Sequence, residues 1–246
     1  MTAAARRMGR LPAADDRVSV IDWTHVTGDL DAQGCAIVRF LLTRPECVAL
    51  AALYGRDDIF RSRVVMARHG FGRGEYKYFG YPLPPLIDEL REFVYPRLVP
   101  IANRWNATMC IDVQYPDEHA MFLERCHAAG QVRPTPLLLE YSEGDCNCLH
   151  QDLYGEHVFP LQVAVLLSEP ERDFTGGEFV MTEQRPRVQS RPMVLPLRQG
   201  RCDRVRRSPS TVQGRRGPYR VNLRHGVSRI RSGRRHTVGI IFHDPT

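Results

Sequence analysis

Two histidines and an aspartate have the residue types and the spacing of a metal site. His150 and Asp152 are separated by one residue, and alternate residues of a strand point to the same face of a sheet. His225 is a candidate third ligand. Two histidines and one carboxylate bind one face of an octahedral ferrous ion and leave three positions open for substrate and dioxygen. The pair His150-x-Asp152 is weak evidence by itself, because nine histidines and 28 acidic residues among 246 produce about one such pair by chance.

Arg235 and Thr237 form a candidate carboxylate clamp. Ten residues separate His225 from Arg235, and alternation along a predicted strand places Thr237 on the same face as Arg235. A guanidinium beside a hydroxyl is suited to binding a carboxylate. If the co-substrate is 2-oxoglutarate, its 1-carboxylate and 2-oxo group would chelate the metal, and its 5-carboxylate would need a cation deeper in the fold.

The elements that must position these side chains change character near Pro134. The N-terminal half predicts a strand and three helices, at Cys35–Leu41, Cys47–Tyr54, Leu86–Trp105 and Pro116–Ala129. Thr43 and Glu46 have the spacing of a capping box before the first helix, and Pro96 and Pro100 are expected to kink or divide the second. The C-terminal half contains short apolar or alternating runs, at Leu137–Tyr141, Leu161–Leu167, Glu178–Thr182, Met193–Leu197, Tyr219–Leu223, Val227–Ile230 and Thr237–Phe242. Such runs, separated by turn residues, favour an antiparallel barrel or sandwich.

The predicted fold class is therefore α+β with a mainly β core. Residues 1–20 are predicted to be a flexible tail and residues 21–246 a single domain, with mostly helical support at 21–133 and the β core at 134–246. A composition of 43% apolar and 25% charged residues is that of an ordinary globular protein. The sequence contains no apolar run close to the roughly 20 residues that span a bilayer, which predicts no membrane segment.

Cysteine content and charge carry less information. Seven cysteines without a CxxC pair or a secretory signal predict reduced thiols in the cytoplasm. The net charge of +6 arises between Arg198 and Arg216, where seven arginines accompany one acidic residue. Because this excess is local, it is poor evidence for a nucleic-acid partner.

An aromatic and basic segment from Arg68 to Phe79 is a candidate substrate-binding loop. It interleaves bases, glycines and aromatics, and its candidate contact residues are Arg68, Arg73, Tyr76, Lys77 and Tyr78. Such a loop can stack an unpaired base and bind phosphate. The alternative is a glycine-rich surface loop whose aromatic rings fold onto the barrel.

The ordered set of these candidates resembles the Fe(II)/2-oxoglutarate-dependent dioxygenases. Its members are Tyr141, His150-x-Asp152, His225 and Arg235-x-Thr237, and the segments FTGGEF at 174–179 and HGV at 225–227 look like the pattern of that superfamily. The resemblance implies a double-stranded β-helix, or jelly-roll, with N-terminal supporting helices. It also implies Fe(II), 2-oxoglutarate and dioxygen as cofactor and co-substrates. Carried over residue by residue, His150, Asp152 and His225 are iron ligands, Arg235 and Thr237 bind the 5-carboxylate, and Tyr141 donates a hydrogen bond to the co-substrate.

Longer stretches are similar to one bacterial branch of these oxygenases. They are residues 61–79, 149–170 and the terminal GIIFHD at 239–244. The branch is predicted to modify nucleic acids by oxidative demethylation of damaged DNA, which implies a damaged or methylated DNA or RNA substrate. The alternatives are a protein hydroxylase of the prolyl-hydroxylase type and a catalytically impaired barrel. The oligomeric state is left open.

Residues 200–212 depart from the family pattern. After Gly200 the sequence RCDRVRRSPST has no alternating apolar face to fill a barrel interior. A back-translation read one base later encodes GDAIVFAVHHR, which is closer to the expected strand. The hypothesis is a compensated frameshift, testable by resequencing the gene. If the printed frame is genuine, a barrel strand is expected to be lost and activity impaired.

Overall fold

The computed structural model describes residues 13–151, 156–184, 189–206, 210–214 and 217–246, and the side chains of residues 202–221 lie outside this description. The helices of the described residues are α1 Ala14–Ser19, α2 Trp23–Gln33, α3 Arg44–Ala52, α4 Pro85–Thr108 and α5 His119–Ala128. The first strands are β1 Cys35–Val38, β2 Phe60–Val65, β3 Gly72–Arg73, β4 Glu75–Phe79, β5 Leu137–Tyr141, β6 Cys146–His150, β7 Leu161–Leu166 and β8 Phe174–Gly176. The remaining strands are β9 Phe179–Gln184, β10 Arg191–Leu195, β11 Cys202–Arg206, β12 Ser210–Gly214, β13 Gly217–Val227, β14 Ile230–Gly233 and β15 Arg235–Ile241.

Two antiparallel sheets form the core of the fold. The larger sheet has the strand order β1-β11-β7-β15-β5-β4-β2, and the smaller has the order β10-β9-β13-β6-β3, with β12 paired to β13. Strands β14 and β8 form a separate pair. The α+β class with a mainly β core is therefore confirmed.

The two faces of the larger sheet have different partners. Val163 on β7 and Val238 on β15 belong to an apolar cluster with Leu90 and Val94 of α4. The alternate residues point the other way, and Tyr141 and Leu166 join a second cluster with residues of the smaller sheet. The layers are thus helices, larger sheet and smaller sheet, and the space between the two sheets is where side chains from both can converge.

Local sequence signals explain two of the helices. Thr43 and Glu46 form the predicted capping box at the start of α3: the Thr43 hydroxyl accepts from the Glu46 amide, and the Glu46 carboxylate accepts from the Thr43 amide at 2.7 Å. The predicted division of the next helix is wrong, because α4 runs unbroken through Pro96 and Pro100. One side of α4 is buried in the core, and this tertiary packing offsets the local cost of proline in a helix interior.

Three further expectations need correction. The N-terminal half is less helical than predicted: the predicted strand at Cys35–Leu41 is confirmed as β1, and β2, β3 and β4 are additional strands. Residues 14–19 of the predicted flexible tail form α1, while residues 1–12 lie outside the described residues. The predicted loss of a strand after Gly200 is wrong for the backbone, since β11 pairs with both β1 and β7. None of the helices in the described part of the chain is long and apolar enough to cross a membrane.

Candidate active site

A cavity of about 210 Å³ lies between the larger and the smaller sheet. Its lining on the larger sheet comes from Tyr76, Tyr78, Leu137, Leu139, Tyr141, Gln162, Val163, Ala164, Arg235, Thr237, Gly239 and Ile241. The remaining lining residues are Phe71, Asn147, His150, Gln151, Phe179, His225, Gly226 and Val227. Five of the six residues predicted to bind metal or co-substrate therefore reach one cavity.

The two predicted histidine ligands are direct neighbours across a strand pair. His150 at the end of β6 is the register partner of His225 on β13, and their ring centroids are 4.4 Å apart. The Nδ1 of His150 lies 2.8 Å from the carbonyl oxygen of Cys148. Because a carbonyl only accepts, Nδ1 carries the proton, and Nε2 of His150 has the lone pair that a metal requires.

His225 is held by contacts on two sides. Its ring stacks on Phe179 with centroids 5.7 Å apart and planes 15° from parallel, and its Nε2 lies 3.4 Å from Nε2 of Gln162. The next residue, Gly226, packs so closely against β6 that a Cβ would lie 2.6 Å from the Asn147 carbonyl oxygen. Glycine at this position lets β13 approach β6 closely enough for the two imidazoles to meet.

Arg235 is a buried cation that lines the same cavity. Its side chain is 1% exposed, and Nη1 donates to the Thr237 hydroxyl at 2.6 Å. Its Nε has no hydrogen-bond partner, and no carboxylate forms an ion pair with Arg235 among the residues that the structure describes. Burial lowers the pKa of Arg235 to about 10, so the guanidinium remains charged at neutral pH. A buried cation without a counter-charge is unfavourable, so this position suits the binding of an anion.

The surroundings of Arg235 shape this part of the cavity. The guanidinium carbon lies 5.7 Å from the Tyr141 ring centroid and 5.8 Å from that of Phe174. Gly177, at φ +62°, leaves room for the arginine, because a Cβ there would lie 3.0 Å from Cδ of Arg235. Tyr141 is fully buried and pairs in register with Arg235, and its hydroxyl accepts from Nδ2 of Asn147 at 3.2 Å.

Strand register aligns the cavity-lining residues of three neighbouring strands of the larger sheet. Thr237 and Gly239 of β15 lie beside Leu139 and Leu137 of β5, and these lie beside Tyr76 and Tyr78 of β4. A Cβ at Gly239 would lie 2.9 Å from a Leu137 methyl group. The absence of a side chain at Gly239 therefore keeps the middle of the cavity open.

The aromatic and basic segment is divided by strand alternation. Tyr76 and Tyr78 line the cavity, and the guanidinium of Arg61 lies 4.6 Å from the Tyr78 ring centroid. Lys77 points to the opposite face of β4, where its ammonium binds Asp57 at 2.6 Å. Lys77 is 7% exposed, so the structure does not bring it to the cavity, contrary to the expectation of a substrate contact.

The two predicted arginines of this segment lie outside the cavity lining. Arg68 and Arg73 are exposed, and the one ion pair of Arg73 within the described part of the chain is a long 3.9 Å contact with Asp145. Cavity residues that the sequence analysis did not single out include Phe71, Gln162 and Phe179. Alternation within the predicted strand at 161–167 places Gln162 and Ala164 on one face, but it does not say which face of the strand borders the cavity.

The residue types fit Fe(II) and 2-oxoglutarate. Two adjacent imidazoles suit iron, and the buried guanidinium with an unpartnered Nε suits a carboxylate. Asp152, the third predicted ligand, lies outside the described residues. The described residues by themselves contain no group of three His, Cys, Asp or Glu side chains that could hold a metal ion.

Sequence comparisons find one family of oxygenases and one bacterial relative that match most of the chain. Residues 74–245 match a family of oxygenases described as catalysing oxidative methylation of damaged DNA. An uncharacterized protein present in two strains of Mycobacterium tuberculosis is 41% identical over 244 residues, which are 99% of this chain and 98% of the relative.

Solved structures with the same fold are more distant in sequence. An oxidoreductase of the 2OG-Fe(II) oxygenase family from Burkholderia pseudomallei has a TM-score of 0.53 and 15% identity, covering 92% of this chain and 94% of that one. A prolyl hydroxylase from Trichoplax adhaerens, in complex with a hypoxia-inducible-factor peptide fragment, has a TM-score of 0.53 and 14% identity, covering 96% and 94%. At these identities the likeness concerns the fold.

Proposed function

The chain belongs to the family of oxygenases described as catalysing oxidative methylation of damaged DNA, and from this premise we propose that it oxidises, and thereby demethylates, a methylated base of a nucleic acid. The predicted superfamily and reaction class are confirmed by this membership. The chain is a dioxygenase with the double-stranded β-helix fold of the 2OG-Fe(II) oxygenases, whose cofactor and co-substrates are Fe(II), 2-oxoglutarate and dioxygen.

In this proposal, His150, His225 and Asp152 hold the iron. The hydrogen bond from Nδ1 of His150 to Cys148 orients the imidazole with Nε2 as the donor atom. The stacked Phe179 ring fixes the plane of His225. The side-chain amide of Gln162, whose Nε2 lies 3.4 Å from Nε2 of His225, can hydrogen-bond to a group bound beside the metal.

Arg235 and Thr237 bind the 5-carboxylate of 2-oxoglutarate. The buried guanidinium has donors left over after its bond to Thr237, and a carboxylate there would complete a buried ion pair. The co-substrate would then extend from Arg235 toward the two imidazoles. When the cofactor and co-substrates are bound, dioxygen would convert 2-oxoglutarate to succinate and CO2, and its second oxygen atom would hydroxylate an N-methyl group, from which formaldehyde is lost.

The observation that carries the substrate proposal is the pair of tyrosines in the cavity wall. Tyr76 and Tyr78 meet edge to face with centroids 5.4 Å apart and line the same cavity as the two histidines. The volume of about 210 Å³ is below the roughly 300–1,000 Å³ of pockets that enclose a drug-sized ligand. This favours a substrate that inserts one flat ring, as an unpaired or flipped base does.

A direct comparison of substrates tests this function. Purified protein with Fe(II), 2-oxoglutarate and dioxygen is incubated with methylated single-stranded oligonucleotides or with proline-containing peptides. We expect formaldehyde and succinate in equal amounts from the oligonucleotides. His225→Ala should abolish both products, whereas His25→Ala, which removes an exposed histidine of α2, should leave them unchanged.

The alternative outcomes separate the competing functions. Peptide hydroxylation without formaldehyde would replace the proposal by protein hydroxylation. Absence of 2-oxoglutarate binding would instead indicate an impaired barrel. A version in which GDAIVFAVHHR replaces residues 200–210, tested beside the printed sequence, would then show whether that segment is responsible.

A further inference from the structure

The loop between β2 and β4 carries two stacked aromatic rings at the edge of the cavity. The ring centroids of His69 and Phe71 are 5.3 Å apart, and their planes are inclined by 24°. Both residues are exposed, and Phe71 has 42% of its surface exposed although it also lines the cavity. We call this pair the His69–Phe71 platform; it extends the cavity wall onto the protein surface.

The platform is attached to the strand that carries His150. The Phe71 carbonyl accepts from the Cys148 amide at 2.9 Å, and Gly72 pairs in register with Asn147 on β6. Gly72 has φ +120°, and a Cβ there would lie 2.3 Å from the Cys146 carbonyl oxygen. Because only glycine allows this close approach, the position of the platform relative to the two imidazoles is set by backbone contacts.

Two arginines give the platform a positive border. Arg68 and Arg73 flank it in sequence and are exposed. The ion pair between Arg73 and Asp145 is long, at 3.9 Å, and 68% of the Arg73 side chain is exposed. Such a pair stabilises the guanidinium only weakly. Arg68 has no ion pair among the described residues. Both guanidinium groups are therefore available to phosphates of a bound strand.

We propose that the His69–Phe71 platform stacks the base next to the one that enters the cavity. This inference rests on the proposed function and specifies its substrate as an unpaired strand of at least two nucleotides. A base that leaves its stack to enter the cavity exposes the face of its neighbour, and an aromatic ring beside the cavity mouth restores a stacking partner. Stacking of this kind accepts any base, so the platform selects for single strands and not for sequence.

The length dependence of binding and oxidation tests the platform. The ligands are a methylated mononucleotide and a single-stranded trinucleotide with the methylated base in the centre. For the wild-type protein we expect Kd and KM to be about 10-fold lower for the trinucleotide, which is the effect of one stacked base. Kd is measured by fluorescence anisotropy without iron or 2-oxoglutarate, so that binding is read independently of turnover.

Phe71→Leu keeps an apolar side chain but removes the flat ring. It should reduce the length dependence to the part contributed by phosphates at Arg68 and Arg73, and leave the values for the mononucleotide at wild-type level. Phe71→Trp should retain the length dependence. Phe40→Leu is the matched control, because Phe40 is a 73% exposed phenylalanine that lines a different groove.

The possible failures are distinguishable. If Phe71→Leu keeps the full length dependence, or if wild-type protein binds both ligands equally, the platform is refuted while oxidation of the methylated base still supports the proposed function. If wild-type protein oxidises a peptide and no oligonucleotide, the proposed function fails and the platform fails with it.

Discussion

Replacing Arg235 by methionine should weaken binding of 2-oxoglutarate without destabilising the free protein. The two effects differ because of where the charge lies. The Arg235 side chain is 1% exposed, its pKa is lowered by burial to about 10, and no carboxylate pairs with it among the described residues. In the free protein, the loss of hydration of this cation is therefore not offset by an ion pair within the described residues.

The size of the effect follows from the buried ion pair that the co-substrate would complete. Removing one partner of such a pair costs about 3–5 kcal/mol, which corresponds to a Kd for 2-oxoglutarate about 200- to 5,000-fold higher. The free protein loses the hydrogen bond to Thr237 and the contacts of the guanidinium with the Tyr141 and Phe174 rings, but no ion pair within the described structure. Because methionine occupies a similar volume, the melting temperature without 2-oxoglutarate should stay equal or rise.

Thermal melting with and without 2-oxoglutarate measures both quantities. A ligand at 100 times its Kd stabilises a protein by about 2.7 kcal/mol, so the wild-type Tm should rise and that of Arg235→Met should not. Arg234→Met is the control, because the neighbouring arginine is 70% exposed and forms only a 3.6 Å pair with Glu140. Wild-type affinity in Arg235→Met would refute the assigned role, and a large drop in Tm of the free variant would refute the absence of an internal counter-charge.

Three further substitutions test other parts of the structure. Burial lowers the pKa of His119 to about 3, so below about pH 6.5 the unfolded state takes up a proton before the folded state does. The free energy of unfolding therefore falls as the pH is lowered toward 3, by about 2 kcal/mol at pH 5. Urea unfolding at pH 7 and pH 5 should show this difference for the wild-type protein and not for His119→Gln, and the same difference in the variant would contradict the assignment to His119. Gly177→Ala, at φ +62°, places a Cβ 2.3 Å from Cδ1 of Ile230 and 3.0 Å from Cδ of Arg235. A displacement of the guanidinium that costs about 1.4 kcal/mol raises KM for 2-oxoglutarate about 10-fold, and an unchanged KM would show that the arginine tolerates the methyl group. Arg91→Met removes the guanidinium that lies 2.9 Å from the fully buried Asp244 carboxylate, and it should lower the free energy of unfolding by about 3–5 kcal/mol. Adding Asp244→Asn should recover part of this loss in denaturant titrations. If it recovers nothing, the loss comes from packing and not from the unpaired charge.

Much of the β core was predictable because alternation and turn residues are local signals. The predicted runs Leu137–Tyr141 and Leu161–Leu167 correspond to β5 and β7 within one residue. The capping box before α3 was equally local. Strands β2 and β4 of the N-terminal half were missed, because their sequences FRSRVV and EYKYF are too polar to indicate a core strand. They form one end of the larger sheet, where β4 pairs with β5 from later in the chain.

The candidate site also contains features that local sequence signals predict and features that they do not. Alternation predicts that Arg235 and Thr237 share a face, and their hydrogen bond in the structure agrees with it. The same rule separates Lys77 from Tyr76 and Tyr78, although the sequence analysis grouped all three by composition. The role of Phe71 at the cavity edge had no local signal, because it depends on how Gly72 packs against β6.

The two-residue period of a strand is a property of its backbone, so the amino-acid sequence alone shows which side chains share a face of one strand. The tertiary fold makes His150 and His225 register partners and brings the buried Arg235 to the same cavity. Strand pairing is made by backbone hydrogen bonds, which are the same for every residue type. Which strands pair, and in which register, depends on burying apolar faces from distant parts of the chain at the same time.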